Sequence, residues 1–213
     1  MTRAPFPLIR HLSAGVTPLL LRLPVTANQV TWASGAAGLA CAWMLTKGTW
    51  QGDLWAAGWL TVCYLLDNCD GEVARAKNQC SAFGARLDTF IDWLVHAAFF
   101  TALGYGVAAR TGVDGWIWVG WAGGLGGTVN YVLGLLEKDD PDDDPGGHEG
   151  ARPVGALQWF TFFLRELSRA DFCFIVLALA AVDWLWPLLP GGAVGAQIYW
   201  MTRFVAGARR FKV

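Results

Sequence analysis

The sequence predicts an all-α integral membrane protein, a bundle of six transmembrane helices with an N-terminal amphipathic helix lying on the surface. Three observations carry this expectation. The chain of 213 residues is 54% hydrophobic and only 15% charged, against about 25% charged in ordinary soluble domains. Its apolar residues come in long blocks of the roughly 20 residues that a spanning helix needs, not in a mixed pattern. Its basic residues are distributed asymmetrically between the loops.

Taken in order, residues 5–24 mix Phe6, Leu8, Ile9, Leu12, Val16 and Leu19–Leu21 with Arg10, His11 and Arg22. That pattern suits either a surface-lying amphipathic helix or a plain juxtamembrane linker. The six apolar blocks are expected near Asn28–Thr46, Gly52–Ala76, Ala82–Ala109, Gly115–Leu136, Phe160–Trp186 and Ala193–Ala208. Residues 1–27 therefore form an N-terminal cytoplasmic segment and residues 28–213 the six-helix catalytic domain. With six spans, every Lys and Arg except Lys47 and Arg110 falls on one side. The positive-inside rule makes that side cytosolic, which places the protein in the cytoplasmic (inner) membrane with its acidic cluster facing the cytosol. Between the fourth and fifth blocks, the acidic segment from Glu137 to Gly150 is rich in Pro and Gly. It reads as a solvated loop, because its acids lack EF-hand spacing.

Several function classes are disfavoured. A net charge of −1 provides no basic footprint for nucleic acid. The five Cys residues (41, 63, 69, 80 and 173) show no CxxC spacing and lie mostly within apolar runs, so reduced, buried thiols are expected. The first residues lack the apolar core and cleavage site of a removable signal peptide. No internal repeat is present.

The chemistry concentrates between Asp67 and Asp92. Asp67 and Asp70 are three residues apart late in the second block; Asp88 and Asp92 are four apart early in the third. Both spacings put a pair on one helix face. Joined by a short polar turn at residues 77–81, the two helices bring all four acids to one end. Four bare carboxylates would repel one another, and a hard divalent cation relieves this, since Mg²⁺, Mn²⁺ and Ca²⁺ take oxygen ligands. Acids at membrane depth usually mark function. Gly71, Ala74 and Gly84 are either helix-packing sites or clearance for a ligand. Arg75 is either a phosphate-binding cation or a snorkelling interfacial side chain. His96, four residues past Asp92, is either a group that orients this acid or a buried neutral imidazole.

The pattern D-x2-D-G-x2-A-R-x8-G-x3-D-x3-D matches this chain at every fixed position: Asp67, Asp70, Gly71, Ala74, Arg75, Gly84, Asp88 and Asp92. It resembles the signature of the CDP-alcohol phosphotransferase family, and the chain length and six-span plan are similar too. The resemblance implies that an acceptor hydroxyl attacks the β-phosphate of a CDP-linked lipid or alcohol donor and that CMP leaves, in phospholipid or polar-lipid synthesis. It implies Mg²⁺ or Mn²⁺ as cofactor, two cations, held by Asp67, Asp70 and Asp88. Asp92 then completes the metal site or serves as general base. Gly71, Ala74, Arg75 and Gly84 line the nucleotide pocket, and a homodimer is implied.

That family often carries P-N-x-x-T where the first span begins. This chain keeps Asn28 and Thr31 but has Ala27 in place of Pro. Asn28 and Thr31 are thus candidate nucleotide contacts, with a helix cap as the alternative for Asn28. The acceptor is left open by the resemblance as an alcohol, inositol phosphate or another polyol, the D-G-E-V-A-R stretch resembling the inositol-phosphate-using branches of the family. Arg165 and Arg169 are candidates to hold its phosphate, or else a basic helix entrance. Two rival classes share the acidic helices: an intramembrane Mg²⁺-dependent prenyltransferase, which leaves Gly71, Ala74, Arg75 and Gly84 unexplained, and a cation transporter, which needs acids across the membrane and not at one face.

Overall fold

The computed structural model describes residues 7–136 and 171–210, and among these every regular element is an α-helix. They are α1 (Ile9–Arg22), α2 (Ala27–Leu45), α3 (Trp50–Ala76), α4 (Ala82–Thr111), α5 (Gly115–Leu136), α6 (Phe172–Ala181) and α7 (Leu188–Arg210).

Local chemistry sets the helix ends. Thr26 and Gln29 form a reciprocal capping box at the start of α2, which satisfies two of the orphan N–H groups there. Thr49 and Ser81 accept from Gly52 N and Gly84 N at the starts of α3 and α4. Gly112, left-handed at φ 70°, ends α4. The starts and ends expected from the sequence for α2 to α5 agree with these bounds within about two residues. The fifth block does not run on to Trp186. Its described helix ends at Ala181, because Asp183 adopts φ 55° and the chain turns before α7. The last helix begins at Leu188, five residues before the expected start.

The segment expected to be either surface helix or linker is a helix whose inward face is mixed. Ile9, Ser13 and Thr17 face inward, while Leu8, Leu12, Leu19 and Leu23 are exposed together with Arg10, His11 and Arg22. Ser13 Oγ donates to Glu72 Oε1 at 2.8 Å and Thr17 Oγ1 donates to Glu72 Oε2. This ties α1 to the back of α3. No residue of α1 caps its own N-terminus. The fully buried carboxylate of Asp171 does so from the start of α6, accepting from Leu8 N at 2.8 Å and Ile9 N at 3.0 Å.

Glycines allow the helices to approach closely, as in membrane bundles. A Cβ on Gly38 of α2 would lie 2.3 Å from Val95 of α4. One on Gly104 of α4 would lie 2.9 Å from Gly120 Cα of α5. The core between the helices contains Leu60, Cys63, Ile91, Val95, Phe99 and Val176. Four Cys thiols are free and buried, as expected, but Cys80 is exposed because it sits in the α3–α4 turn.

The far end of the bundle is held by one guanidinium. Arg110 donates to Gly48 O at 3.1 Å, to Asp53 Oδ2 at 2.8 Å and to Asp183 Oδ1 at 2.7 Å. It thereby joins the α2–α3 turn, the end of α4 and the α6–α7 turn. Exposed Trp43, Trp50, Trp118, Trp184 and Trp186 surround this end, with Lys47 Nζ 4.1 Å over the Trp43 ring. Among the described residues one helix, α4, is long and apolar enough to cross a membrane by length and composition.

Candidate active site

The sequence suggests two opposed helix faces in a hairpin. The structure differs in an instructive way. α2 packs against both α3 and α4, whereas α3 and α4 make at most sparse backbone contact with each other among the described residues. The glycine face of α2 explains this. Gly35 and Gly38 admit Ile91 and Val95 of α4, so α2 can sit against α4 without losing α3. The gap left between α3 and α4 is a cleft of about 190 Å³. Its walls come from the start of α2, the end of α3, the turn and the start of α4.

Asp70 and Asp88 line this cleft, and their carboxylates converge with that of Asp67, each offering an oxygen within 4.8 Å of the others. Asp70 is buried and Asp67 and Asp88 half-buried. An all-oxygen, triply acidic donor set suits a hard divalent cation and not zinc. Asp92, one turn along α4 from Asp88, stands outside this trio and is exposed.

Asp70 is oriented from outside the acidic group. Thr31 Oγ1, itself buried, donates to Asp70 Oδ2 at 2.6 Å. Thr31 lines the cleft, but its hydroxyl serves the carboxylate. Asn28 also lines the cleft and is not a helix cap, since Thr26 holds that position. Its Oδ1 faces Gly84, where a Cβ would come within 3.2 Å. Gly71 performs the same service for Arg75: a Cβ there would be 3.3 Å from Nη1 of the guanidinium, which folds back over the glycine. Arg75 is exposed at the cleft and has no ion-pair partner among the described residues.

His96 does not touch the Asp92 carboxylate. Its Nδ1 bonds the Asp92 main-chain carbonyl at 2.7 Å, and its Nε2 lies 3.0 Å from Tyr64 Oη. A carbonyl only accepts, so Nδ1–H donates to it. The imidazole thereby pins the turn carrying Asp92 to Tyr64 of α3.

The residues that sequence reasoning missed lie in the α3–α4 turn and in what it grips. Gln79, Cys80 and Ser81 line the cleft. Lys77 Nζ donates to Leu23 O at 2.9 Å and Val25 O at 2.7 Å. Gln79 Oε1 accepts from Ala27 N at 2.8 Å. No spacing rule signals these contacts, which join residues more than fifty positions apart. Arg165, Arg169 and the acidic 137–150 segment lie outside the described residues.

Comparison with known proteins agrees with this geometry. The family model for CDP-alcohol phosphatidyltransferase matches residues 24–131, the stretch that builds the whole cleft. A phosphatidylinositol phosphate synthase of Cutibacterium acnes is 31% identical over 104 residues, which cover 45% of this chain and 49% of that protein. One of Corynebacterium glutamicum is 35% identical over 89 residues, covering 41% of this chain and 39% of that protein. The chain thus spans about half the length, or less, of these curated relatives.

Proposed function

Because the chain belongs to the CDP-alcohol phosphatidyltransferase family, we propose that it transfers a phosphatidyl or related phosphoalcohol group from a CDP-linked donor to an acceptor alcohol, releasing CMP. The observation that carries this reading is the convergence of Asp67, Asp70 and Asp88, the last two in the wall of a cleft that also holds Gly71, Ala74, Gly84 and an Arg75 with no ion-pair partner among the described residues. The three carboxylates would hold Mg²⁺ or Mn²⁺, which when bound neutralises charge on the pyrophosphate and on the departing CMP. Arg75 supplies a fork of N–H donors for a phosphate. Gly71 and Gly84 keep the wall free of side chains, so backbone and ligand come close. Asp92, outside the trio, takes the proton from the acceptor hydroxyl. The hydroxyl oxygen then forms its bond to the β-phosphorus as the bond to the CMP oxygen breaks.

Thr31 acts through Asp70. Replacing it with Val preserves shape and removes the hydroxyl that donates to the carboxylate. The expected result is a loss of about 10–100-fold in Mg²⁺ affinity, the usual cost of losing a ligand's supporting hydrogen bond. It is read from the Mg²⁺ concentration that gives half-maximal turnover. An unchanged Mg²⁺ dependence would show that Asp70 needs no such support.

The protein works in a membrane, on this reading, as a homodimer with its cleft open to the cytosol. Support for the membrane comes from the outer surface. Apolar side chains such as Trp32, Leu39, Leu125, Val129 and Val132 face outward, and the tryptophans around Arg110 form a ring of the kind found at membrane interfaces. Mean hydropathy understates the other helices because Trp and Gly, 13 and 26 residues of this chain, add little to it. Both are nonetheless common in membrane proteins.

The names of the similar proteins favour inositol phosphate as acceptor. The deciding experiment incubates purified protein with labelled CDP-diacylglycerol, Mg²⁺ and, separately, inositol phosphate, glycerol phosphate, serine and inositol. A new lipid with inositol phosphate, stoichiometric CMP, and loss of both on chelation of the metal are expected. A product with another alcohol alone would reassign the acceptor; release of inorganic pyrophosphate in place of CMP would remove the reading altogether.

A further inference from the structure

We propose that Gln79 reads the base of the bound nucleotide and selects cytosine over uracil. This rests on the reading that the cleft takes a CDP-linked donor. The diphosphate end of such a donor belongs with the charged part of the cleft, Asp70, Asp88 and Arg75. The remaining wall, with Ala27, Asn28, Gln79, Cys80 and Ser81, is uncharged, and a neutral base belongs there.

Gln79 differs from the other polar groups of that wall in being locked in one orientation. Its Oε1 accepts the Ala27 N–H at 2.8 Å. Only the amide oxygen can meet an N–H donor, so the flip of the carboxamide is determined. Its own backbone N donates to Ala74 O at 2.8 Å, and Lys77 fastens the same turn to the α1–α2 linker through two carbonyls. These contacts hold the turn, and the Ala27 N–H holds the oxygen. What Gln79 presents is its Nε2 amide, which has no protein partner among the described residues and offers two N–H donors while the oxygen is engaged.

Cytosine offers adjacent acceptors at O2 and N3. Uracil offers an acceptor at O2 but a donor at N3. The Nε2 amide set against N3 pairs with cytosine and meets the uracil N3–H donor to donor. A buried donor left without an acceptor is costly, and selectivity of this kind comes as much from the mismatch as from the match. The lock itself depends on residue 27. A Pro at that position, as in P-N-x-x-T, has no N–H to give. Ala27 and Gln79 therefore act as a pair: the departure from the family pattern at one position supplies the anchor for the other.

The test is equilibrium binding of CMP and of UMP to the full-length protein in detergent with Mg²⁺, by calorimetry, with melting midpoints measured alongside. Wild type should prefer CMP. Gln79→Glu keeps an oxygen for the Ala27 N–H but replaces the donor with an acceptor. Its added charge weakens both nucleotides alike, so the readout is their ratio, which should fall about fivefold, the value of one hydrogen bond of ordinary net strength. Ala27→Pro keeps the carboxamide and removes the anchor, at a helical first position that Pro suits. The ratio should then fall severalfold. A ratio within twofold of wild type in either folded variant overturns the proposal, and if Gln79→Glu does not fold, Ala27→Pro decides alone. Wild type that binds neither nucleotide and releases no CMP from CDP-diacylglycerol would instead sink the donor reading, and this inference with it.

Discussion

Asp92→Asn is expected to lower kcat by about 10²–10⁴-fold, the range for losing a general base, while Mg²⁺-dependent CMP binding stays within about threefold of wild type. The basis is positional. Asp67, Asp70 and Asp88 bring their oxygens within 4.8 Å of one another, and Asp92 is not in that group. It sits on the same helix as Asp88 and is exposed, with its turn held by the His96–Tyr64 pair. Asn has the same shape but cannot take a proton. The split between turnover and binding is what identifies the role. A variant that turned over near normally would exclude Asp92 as the base. One that lost metal-dependent binding together with turnover would place it among the ligands. Asp70→Asn is the internal comparison, because it should lose binding and turnover together.

Arg110→Ala is expected to destabilise the protein by about 3 kcal/mol, toward the lower end of the range for breaking a buried ion pair, because Arg110 keeps some exposure. The cost falls mainly on Asp53, whose carboxylate lies 2.8 Å from the guanidinium with only 6% of its side chain exposed. Without Arg110 that charge is left inside the bundle. Asp183, half-exposed, can turn to water. Three turns also lose their common tie. The measurement is the midpoint of heat-induced unfolding in detergent. Adding Asp53→Asn to Arg110→Ala should recover a large part of the loss, since removing both partners of a buried pair is far less costly than removing one. If the double variant melts no higher than the single one, the stranded carboxylate is not the cause and the turn contacts are.

Much of the fold was legible because long apolar blocks announce helices by their length. The bounds of α2 to α5 follow from apolar blocks that end at Thr, Ser and Gly residues able to cap or terminate a helix. The break after Ala181 was not legible. Val182 and Asp183 interrupt a continuous apolar stretch, and only the contact of Asp183 with Arg110, 73 residues away, explains why the chain turns there. The same holds for α1. Its sequence shows leucines at helical spacing, but which face they take depends on Glu72 and Asp171, neither of them a neighbour in the chain.

For the site, the sequence by itself determined which chemistry is available: four aspartates on two helix faces, small residues beside them and one arginine, because side-chain period and helix rise are local properties. Only the tertiary structure decided how these groups meet. By packing α2 against both α3 and α4 it opened the cleft and brought oxygens of Asp67, Asp70 and Asp88 within 4.8 Å of one another. It turned Thr31 from a cleft-lining residue into the support of Asp70, and made Ala27 the anchor of Gln79. Those outcomes depend on the angles and gaps between packed helices, and no spacing along one chain encodes the distance between two helices that a third holds apart.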